Sequence, residues 1–303
     1  MISKSASVDA CTSILELLFS NYSESSFSSL YTQYLLPDTF MKITIIGGGN
    51  LGVAIAEGMV ESQFITAENI TVTRRKLSKI SHLGELGIQL LSSNSEACRD
   101  VDIVILAVKP YQAKAVLVEI LPSLSEKQIL VSVITGLTLA EMTEVVGVSK
   151  CVLFRAMPNT AIAIRESMTC ISTKNATATQ SSQIIDLFEQ LGKAVVIEEE
   201  LMEAATVLGA CGIAYALRFV RAASQGGIEI GFGAEIAQLI ASQTVKGASD
   251  LLLKKGQHPE YEIDKVTTPK GCTIAGLNEM EHRGFSSALI KGVITSYKKI
   301  EKN

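Results

Sequence analysis

Gly47-Gly48-Gly49-Asn50-Leu51-Gly52 has the spacing G-x-G-x-x-G, and what it can do depends on its flanks. It follows the β-branched run Ile43-Thr44-Ile45-Ile46 and opens a stretch of helical periodicity over 50–61. In a strand–turn–helix unit, Gly47 permits the tight turn, Gly49 lets backbone N–H groups approach a pyrophosphate, and Gly52 lets the helix pack on the strand. A dinucleotide is therefore expected against Ile46, Gly47, Gly48, Gly49, Asn50 and Leu51. The alternative is a Gly-rich turn that holds no cofactor.

An NAD site of this kind carries a carboxylate for the ribose 2′-hydroxyl about 20 residues beyond the motif. Here the place is taken by Thr73-Arg74-Arg75-Lys76. A carboxylate would repel a 2′-phosphate, whereas the guanidinium of Arg74 can grip it, so NADPH is the expected cofactor, with NADH as a lesser one. A solvated basic turn is the alternative. Further on, Ala107-Val108-Lys109-Pro110 ends an apolar strand and should line the same crevice, since ligands of open α/β sheets bind beyond the carboxyl ends of strands. Arg155-Ala156-Met157-Pro158-Asn159-Thr160 follows another strand and should reach it too.

These residues need a sheet to hold them. Strand-like runs at 43–46, 70–73, 88–90, 103–108, 129–134, 151–154 and 194–197 alternate with helical patterns at 50–61, 113–121, 139–146 and 181–191. The alternation predicts a Rossmann-type, doubly wound α/β sheet over 41–200. Strand signals then fade, and 201–223 runs as one apolar, Ala-rich stretch ending at Gly226-Gly227. A helix apolar on nearly every side must be buried. Too little chain remains to surround it, so an all-α dimerisation domain over 201–303, closed by a second subunit, is expected.

The order of motifs resembles the pyrroline-5-carboxylate reductase family from Met41 to the end. It runs Gly-x-Gly-Asn-Leu, Ala-Val-Lys-Pro, Arg-Ala-Met-Pro-Asn-Thr, Cys211-Gly212-Ile213-Ala214-Tyr215, Gly226-Gly227-Ile228-Glu229-Ile230-Gly231 and Val266-Thr267-Thr268-Pro269-Lys270-Gly271-Cys272-Thr273-Ile274, then Gly284-Phe285. The resemblance implies hydride transfer from NAD(P)H to the C=N bond of 1-pyrroline-5-carboxylate, giving L-proline. It places the substrate carboxylate on the N–H groups of Gly271, Cys272 and Thr273, with the catalytic Thr273 hydroxyl near the ring nitrogen. Physics agrees, because a Gly-containing loop opening a helix presents unpaired donors and a positive dipole end. The resemblance also adds Asn94 and Glu199 to the cofactor contacts. Four positions depart from the family pattern: Lys270 and Ala161 stand where it has Gly and Pro, Ile213 replaces a Pro, and Cys272 fills the variable place. Lys270 is strained if that position needs positive φ, and otherwise adds a cation beside the carboxylate.

A protonated imine accepts hydride without a strong enzymic acid, which suits a chain with only His82, His258 and His282. His258 and His282 read as structural. Two other readings compete: a β-hydroxyacid-type dehydrogenase using Lys109 or a helical lysine, and a non-catalytic NADPH-binding paralogue acting through dimerisation.

With 47% hydrophobic and 19% charged residues and a net charge of -4, the chain advertises no basic face for nucleic acid. Cys11, Cys98, Cys151, Cys170, Cys211 and Cys272 form no CxxC pair, so no metal site is expected and the thiols read as reduced and mostly buried, with packing roles for Cys211 and Cys272. Residues 1–40 are Ser-rich and lack Arg, and read as a disordered leader or a spurious extension ahead of a functional start at Met41; a regulatory tail is the alternative. No run reaches the roughly 18 uninterrupted apolar residues of a membrane helix, and neither a signal nor a transit peptide is apparent, so a cytoplasmic homodimer, or a larger assembly of dimers, is expected.

Overall fold

The computed structural model describes residues 41–147 and 150–300. The reading of residues 1–40 lies outside them. Eight strands form one sheet: β1 (Ile43–Ile46), β2 (Ile70–Thr73), β3 (Gln89–Leu91), β4 (Ile103–Leu106), β5 (Ile129–Ser132), β6 (Val152–Met157), β7 (Ser167–Thr173) and β8 (Gly192–Val196). Their order is β3-β2-β1-β4-β5-β6-β7-β8. The first six run parallel, β7 is antiparallel to β6, and β8 is parallel to β7.

Helices α1 (Asn50–Glu61), α2 (Ser81–Glu85), α3 (Asn94–Ala97), α4 (Ala113–Ile120), α5 (Leu139–Val146) and α6 (Ala178–Glu189) connect the strands. Two layers of side chains result. Ile43, Ile45, Ile103 and Ile105 pack with Ile55 and Met59 of α1 and Phe188 of α6 on one face. Ile46, Val104 and Leu106 pack with Leu117 and Ile120 of α4 and Met142 of α5 on the other. Successive side chains of a strand point to opposite faces, so a strand covered on both sides must be apolar at every position, as β1 and β4 nearly are. Capping boxes start α5 (Thr138 with Glu141) and α6 (Thr177 with Gln180).

One strand was not legible in the sequence. β7 reads Ser-Met-Thr-Cys-Ile-Ser-Thr, and its polar members Ser167, Thr169 and Ser172 are buried. Ser167 Oγ accepts the Asn159 N–H at 3.0 Å and lies 3.4 Å from Thr169 Oγ1, so burial does not leave these two hydroxyls unpaired.

Beyond β8 the chain is helical: α7 (Met202–Ala205), α8 (Gly212–Glu229), α9 (Ala234–Lys255), α10 (Pro259–Val266), α11 (Cys272–His282) and α12 (Phe285–Ile300). The apolar stretch expected as one helix enters through a 3-10 turn at Glu199–Leu201 and widens to a π-helix at Thr206–Cys211 between α7 and α8. Gly226 and Gly227 lie inside α8 rather than past its end, and a Cβ on Gly227 would stand 3.0 Å from that of Ala237 on α9. That glycine lets two helices approach closely.

The expected burial of this helix is not met within one chain. Its most apolar window is only 11% buried, and Glu199–Glu229 is long and apolar enough, by length and composition, to cross a membrane. Of the residues of α8 to α12, only Ser224, Ala237 and Ala241 are buried.

Candidate active site

β1 and β4 are in register, Ile46 opposite Leu106. The chain leaves β1 to build β2 and β3 on one side and returns to β4 on the other, so a crevice opens beyond these two ends, at the topological switch point. Gly47 turns into it with φ 110°, and a Cβ there would stand 2.7 Å from the carbonyl oxygen of Ala107. No side chain fits that place. A Cβ on Gly52 would fall 2.2 Å from the oxygen of Gly47, so the helix can only start this close to the loop with glycine. At Gly49 a Cβ would meet nothing within 4 Å, because that residue faces open space.

Gly49 is also the N-cap of α1, with no side-chain cap and no acidic residue in the first turn. The leading N–H groups of α1 and its positive dipole end are therefore free to receive an anion. The loop is braced from behind: Thr73 accepts the Gly48 N–H at 2.7 Å through its carbonyl, and its hydroxyl donates to Asn94 Oδ1 at 2.7 Å. Asn94 is anchored in turn, donating to Glu119 Oε2 at 3.1 Å. Arg74 folds its guanidinium onto the loop, donating from Nη1 to the carbonyl oxygen of Gly48. These features fit a dinucleotide pyrophosphate on the loop, with a guanidinium where an NAD site has its carboxylate. Ala107 and Val108 are half-buried at the end of β4, and exposed Lys109 and Pro110 start the 3-10 turn beside them.

Glu199 is placed otherwise than at the Gly-rich loop. Its Oε1 accepts from Arg155 Nη1 at 2.7 Å and from the Leu139 N–H at 3.0 Å, so it is engaged by the middle of β6 and the start of α5. Arg155 and Asn159, expected at the crevice, are buried, and their polar groups bind the helical segment. Ala161 has a local use for its N–H, which donates to Asn159 Oδ1 at 2.9 Å; a proline there has no such hydrogen.

The second constellation sits at α11. Gly271 donates its N–H to the Thr268 oxygen at 2.9 Å, closing a turn with Pro269 and Lys270 at its centre. Lys270 has φ 62°, the strained alternative and the place where a type II turn favours glycine. A Cβ on Gly271 would meet Thr268 Oγ1 at 2.6 Å and the Thr268 carbonyl oxygen at 3.0 Å, so a side chain there would force Thr268 to shift. It caps α11 with no side-chain cap bond, no acidic residue in the first turn, and Cys272 and Thr273 following. An anion-accepting helix start results, the same device as at α1. In the single chain α11 packs mainly on α12, which Tyr215 ties to α8 by a 2.6 Å hydrogen bond to Ser296.

Within one chain Cys272 is exposed at the start of α11 and Cys211 is half-buried in the π-helical stretch. Burial pushes the thiols of Cys98 and Cys151 up to about 12 and about 11, so they stay protonated and inert. His258 caps α10 through Nδ1, which accepts the Glu260 N–H. Among the described residues no group of three His, Cys, Asp or Glu could hold a metal.

Comparison with known proteins gives two family matches: "Pyrroline-5-carboxylate reductase dimerisation" over residues 199–303, and "NADP oxidoreductase coenzyme F420-dependent" over residues 42–136. Pyrroline-5-carboxylate reductase 1 of Dictyostelium discoideum is 46% identical over 84% of this chain, although the match spans only 48% of that protein. Pyrroline-5-carboxylate reductase 2 of the same organism is 44% identical over 86% of this chain and 92% of its own length. Among solved structures, the Plasmodium falciparum pyrroline carboxylate reductase with NADP bound superposes with a TM-score of 0.78 at 28% identity, covering 88% of this chain and 98% of that one. The Coxiella burnetii pyrroline-5-carboxylate reductase gives 0.82 at 27% identity, over 87% and 98%.

Proposed function

The chain belongs to the pyrroline-5-carboxylate reductase family, and from that premise we propose that it reduces 1-pyrroline-5-carboxylate to L-proline with NADPH. The observation that carries this reading is the Gly47–Gly52 loop at the switch point, with Arg74 in place of a ribose-binding carboxylate. In this reading residues 41–200 hold the cofactor, and 201–303 bind the substrate and a second copy of the chain. The protein works as a homodimer in the cytoplasm.

When bound, the dinucleotide supplies the hydride. The backbone of Ile46 to Leu51 and the first turn of α1 seat its pyrophosphate, Arg74 grips the 2′-phosphate, Asn94 stiffens the loop through Thr73, and Ala107 to Pro110 wall the crevice. Glu199, held by Arg155 and the first N–H of α5, joins the start of the helical segment to β6. The Gly271 N–H closes the turn on Thr268, so of the three N–H groups expected on the substrate carboxylate those of Cys272 and Thr273 are left to hold it, and the Thr273 hydroxyl orients the ring nitrogen. The imine is protonated before transfer. As hydride reaches the ring carbon, the π pair moves to nitrogen and leaves a secondary amine, so no side chain must give up a proton. Catalysis is then positioning of two bound groups.

The test is NADPH oxidation, followed by its near-ultraviolet absorbance, with the imine and with a set of 3-hydroxyacids run in the oxidative direction. Imine turnover that falls about 10- to 100-fold in Thr273→Ala is expected. Arg74→Ser should raise the KM for NADPH about tenfold and leave that for NADH unchanged. Turnover of a hydroxyacid in place of the imine would move the chain to β-hydroxyacid chemistry, and cofactor binding with no turnover would leave a binding protein.

A further inference from the structure

Arg155 is among the largest fully buried side chains of the molecule, a cation in the middle of β6. In register it pairs with Ser132 of β5, which pairs with Leu106 of β4. It therefore stands level with the crevice rim, two strand spacings or about 10 Å from the last residue of β4.

Its guanidinium forks to two carboxylates one helical turn apart: Glu199 Oε1 at 2.7 Å from Nη1 and Glu203 Oε1 at 3.1 Å from Nη2. Glu199 Oε1 also holds the first N–H of α5. Four residues beyond Arg155, Asn159 donates from Nδ2 to the Gly209 oxygen at 3.3 Å, inside the π-helical stretch. One short piece of β6 and its turn thus grips the helical run at Glu199, Glu203 and Gly209.

Stability is a weak account of this cluster. Arg155 is fully buried while Glu199 and Glu203 keep about a quarter of their side chains exposed, and desolvating an ion pair can cost more than it returns when polar atoms go unsatisfied. Here Arg155 Nε, Glu199 Oε2 and Glu203 Oε2 are buried with no hydrogen-bond partner. What the fork does supply is a fixed geometry between the sheet rim and the helix that runs on to Cys211-Gly212-Ile213-Ala214-Tyr215. Tyr215 passes that placement to α12 through Ser296, and α12 packs on α11, which starts at Gly271.

We propose that Arg155 is a positioning residue for hydride transfer: its fork to Glu199 and Glu203 sets the helical, imine-holding side of the site against the sheet crevice that holds the nicotinamide. The inference rests on the reductase reading above.

The test uses the full chain with Arg155→Lys and Glu203→Gln. Lysine keeps the charge, but one ammonium cannot hold two carboxylates in a planar fork. Imine turnover should fall about 10- to 100-fold, as a misplacement of about 1 Å does. NADPH affinity by fluorescence titration should stay unchanged, and the kinetic isotope effect on kcat with 4-deuterated NADPH should rise as hydride transfer becomes slower. Glu203→Gln keeps the accepting oxygen and the fold, and should move turnover and isotope effect the same way by less; it carries the test if the lysine variant does not fold. A lowered Tm with kcat and isotope effect unchanged, measured well below the melting range, would overturn the proposal and leave Arg155 a structural residue. Absence of imine turnover in the wild type would sink the reductase reading and this inference together, whereas turnover there with unchanged variants sinks the inference alone.

Discussion

Strand β4 and helix α9 are both rich in aliphatic residues, yet their fates differ. Ile103, Val104, Ile105 and Leu106 are fully buried, whereas Ile236, Leu239, Ile240, Leu251 and Leu253 of α9 are exposed, and only Ala237 and Ala241 are covered. A strand in a βαβ unit finds its partners within a few dozen residues of chain, so its core closes locally. The helices after β8 have partners for one side at most within the chain, and the rest of their apolar surface is what the proposed second copy would cover. Within one chain the sheet half is a finished fold, and the helical half is unfinished.

The largest effect should come from a charge on the unfinished half. Leu217→Glu, on the exposed side of α8, should weaken the dimer about 100-fold or more and abolish most turnover, while the far-ultraviolet circular dichroism of the sheet persists. A variant that still sediments as a dimer would break the comparison. Within the finished half, Phe188→Ala should cost about 3–5 kcal/mol in denaturant unfolding, by a loss that does not depend on protein concentration. Concentration dependence there would mean that the sheet too needs the second copy.

Smaller effects sharpen the same contrast. Lys270 sits at φ 62° in the unfinished half, so Lys270→Gly should relieve about 1 kcal/mol of backbone strain and raise the Tm. A fall in Tm would show that the ammonium has a partner in the assembled dimer. In the finished half, Thr138→Ala removes the cap of α5 and should cost about 1 kcal/mol at neutral pH. The backbone and then the side chain of Thr138 hold the Glu141 carboxyl below the usual carboxylate range. That stabilisation is present above the unfolded carboxylate pKa and is lost as pH falls through the lower folded one. Alanine keeps the backbone bond and loses the hydroxyl's share, so the gap between wild type and variant should narrow in acid, while the part due to the cap on the Glu141 N–H persists, as urea titrations at successive pH values would report.

Much of the cofactor side was legible because its signals are local. The bounds expected for Asn50–Glu61 and Leu139–Val146 coincide with α1 and α5. Gly47 and Gly52 have the steric roles that their spacing implied. β7 escaped notice because a strand of Ser and Thr carries no apolar period, its burial being made tolerable by hydroxyl partners from neighbouring segments. The Arg155 cluster joins residues 44 and 48 positions apart, and no motif spacing announces such a pair.

By itself the sequence determined the Gly-rich turn, the guanidinium in place of a carboxylate, the alternation that builds the sheet, and the family to which the order of motifs points. Each follows from what a residue does to its own backbone or near neighbours. Tertiary structure alone decided that Lys270 takes the left-handed conformation, that Arg155 turns from the crevice to clasp the helices, and that the apolar arm stays uncovered within one chain. These outcomes depend on which distant groups are left to satisfy one another once the sheet has closed, and that sum is not written at any single position.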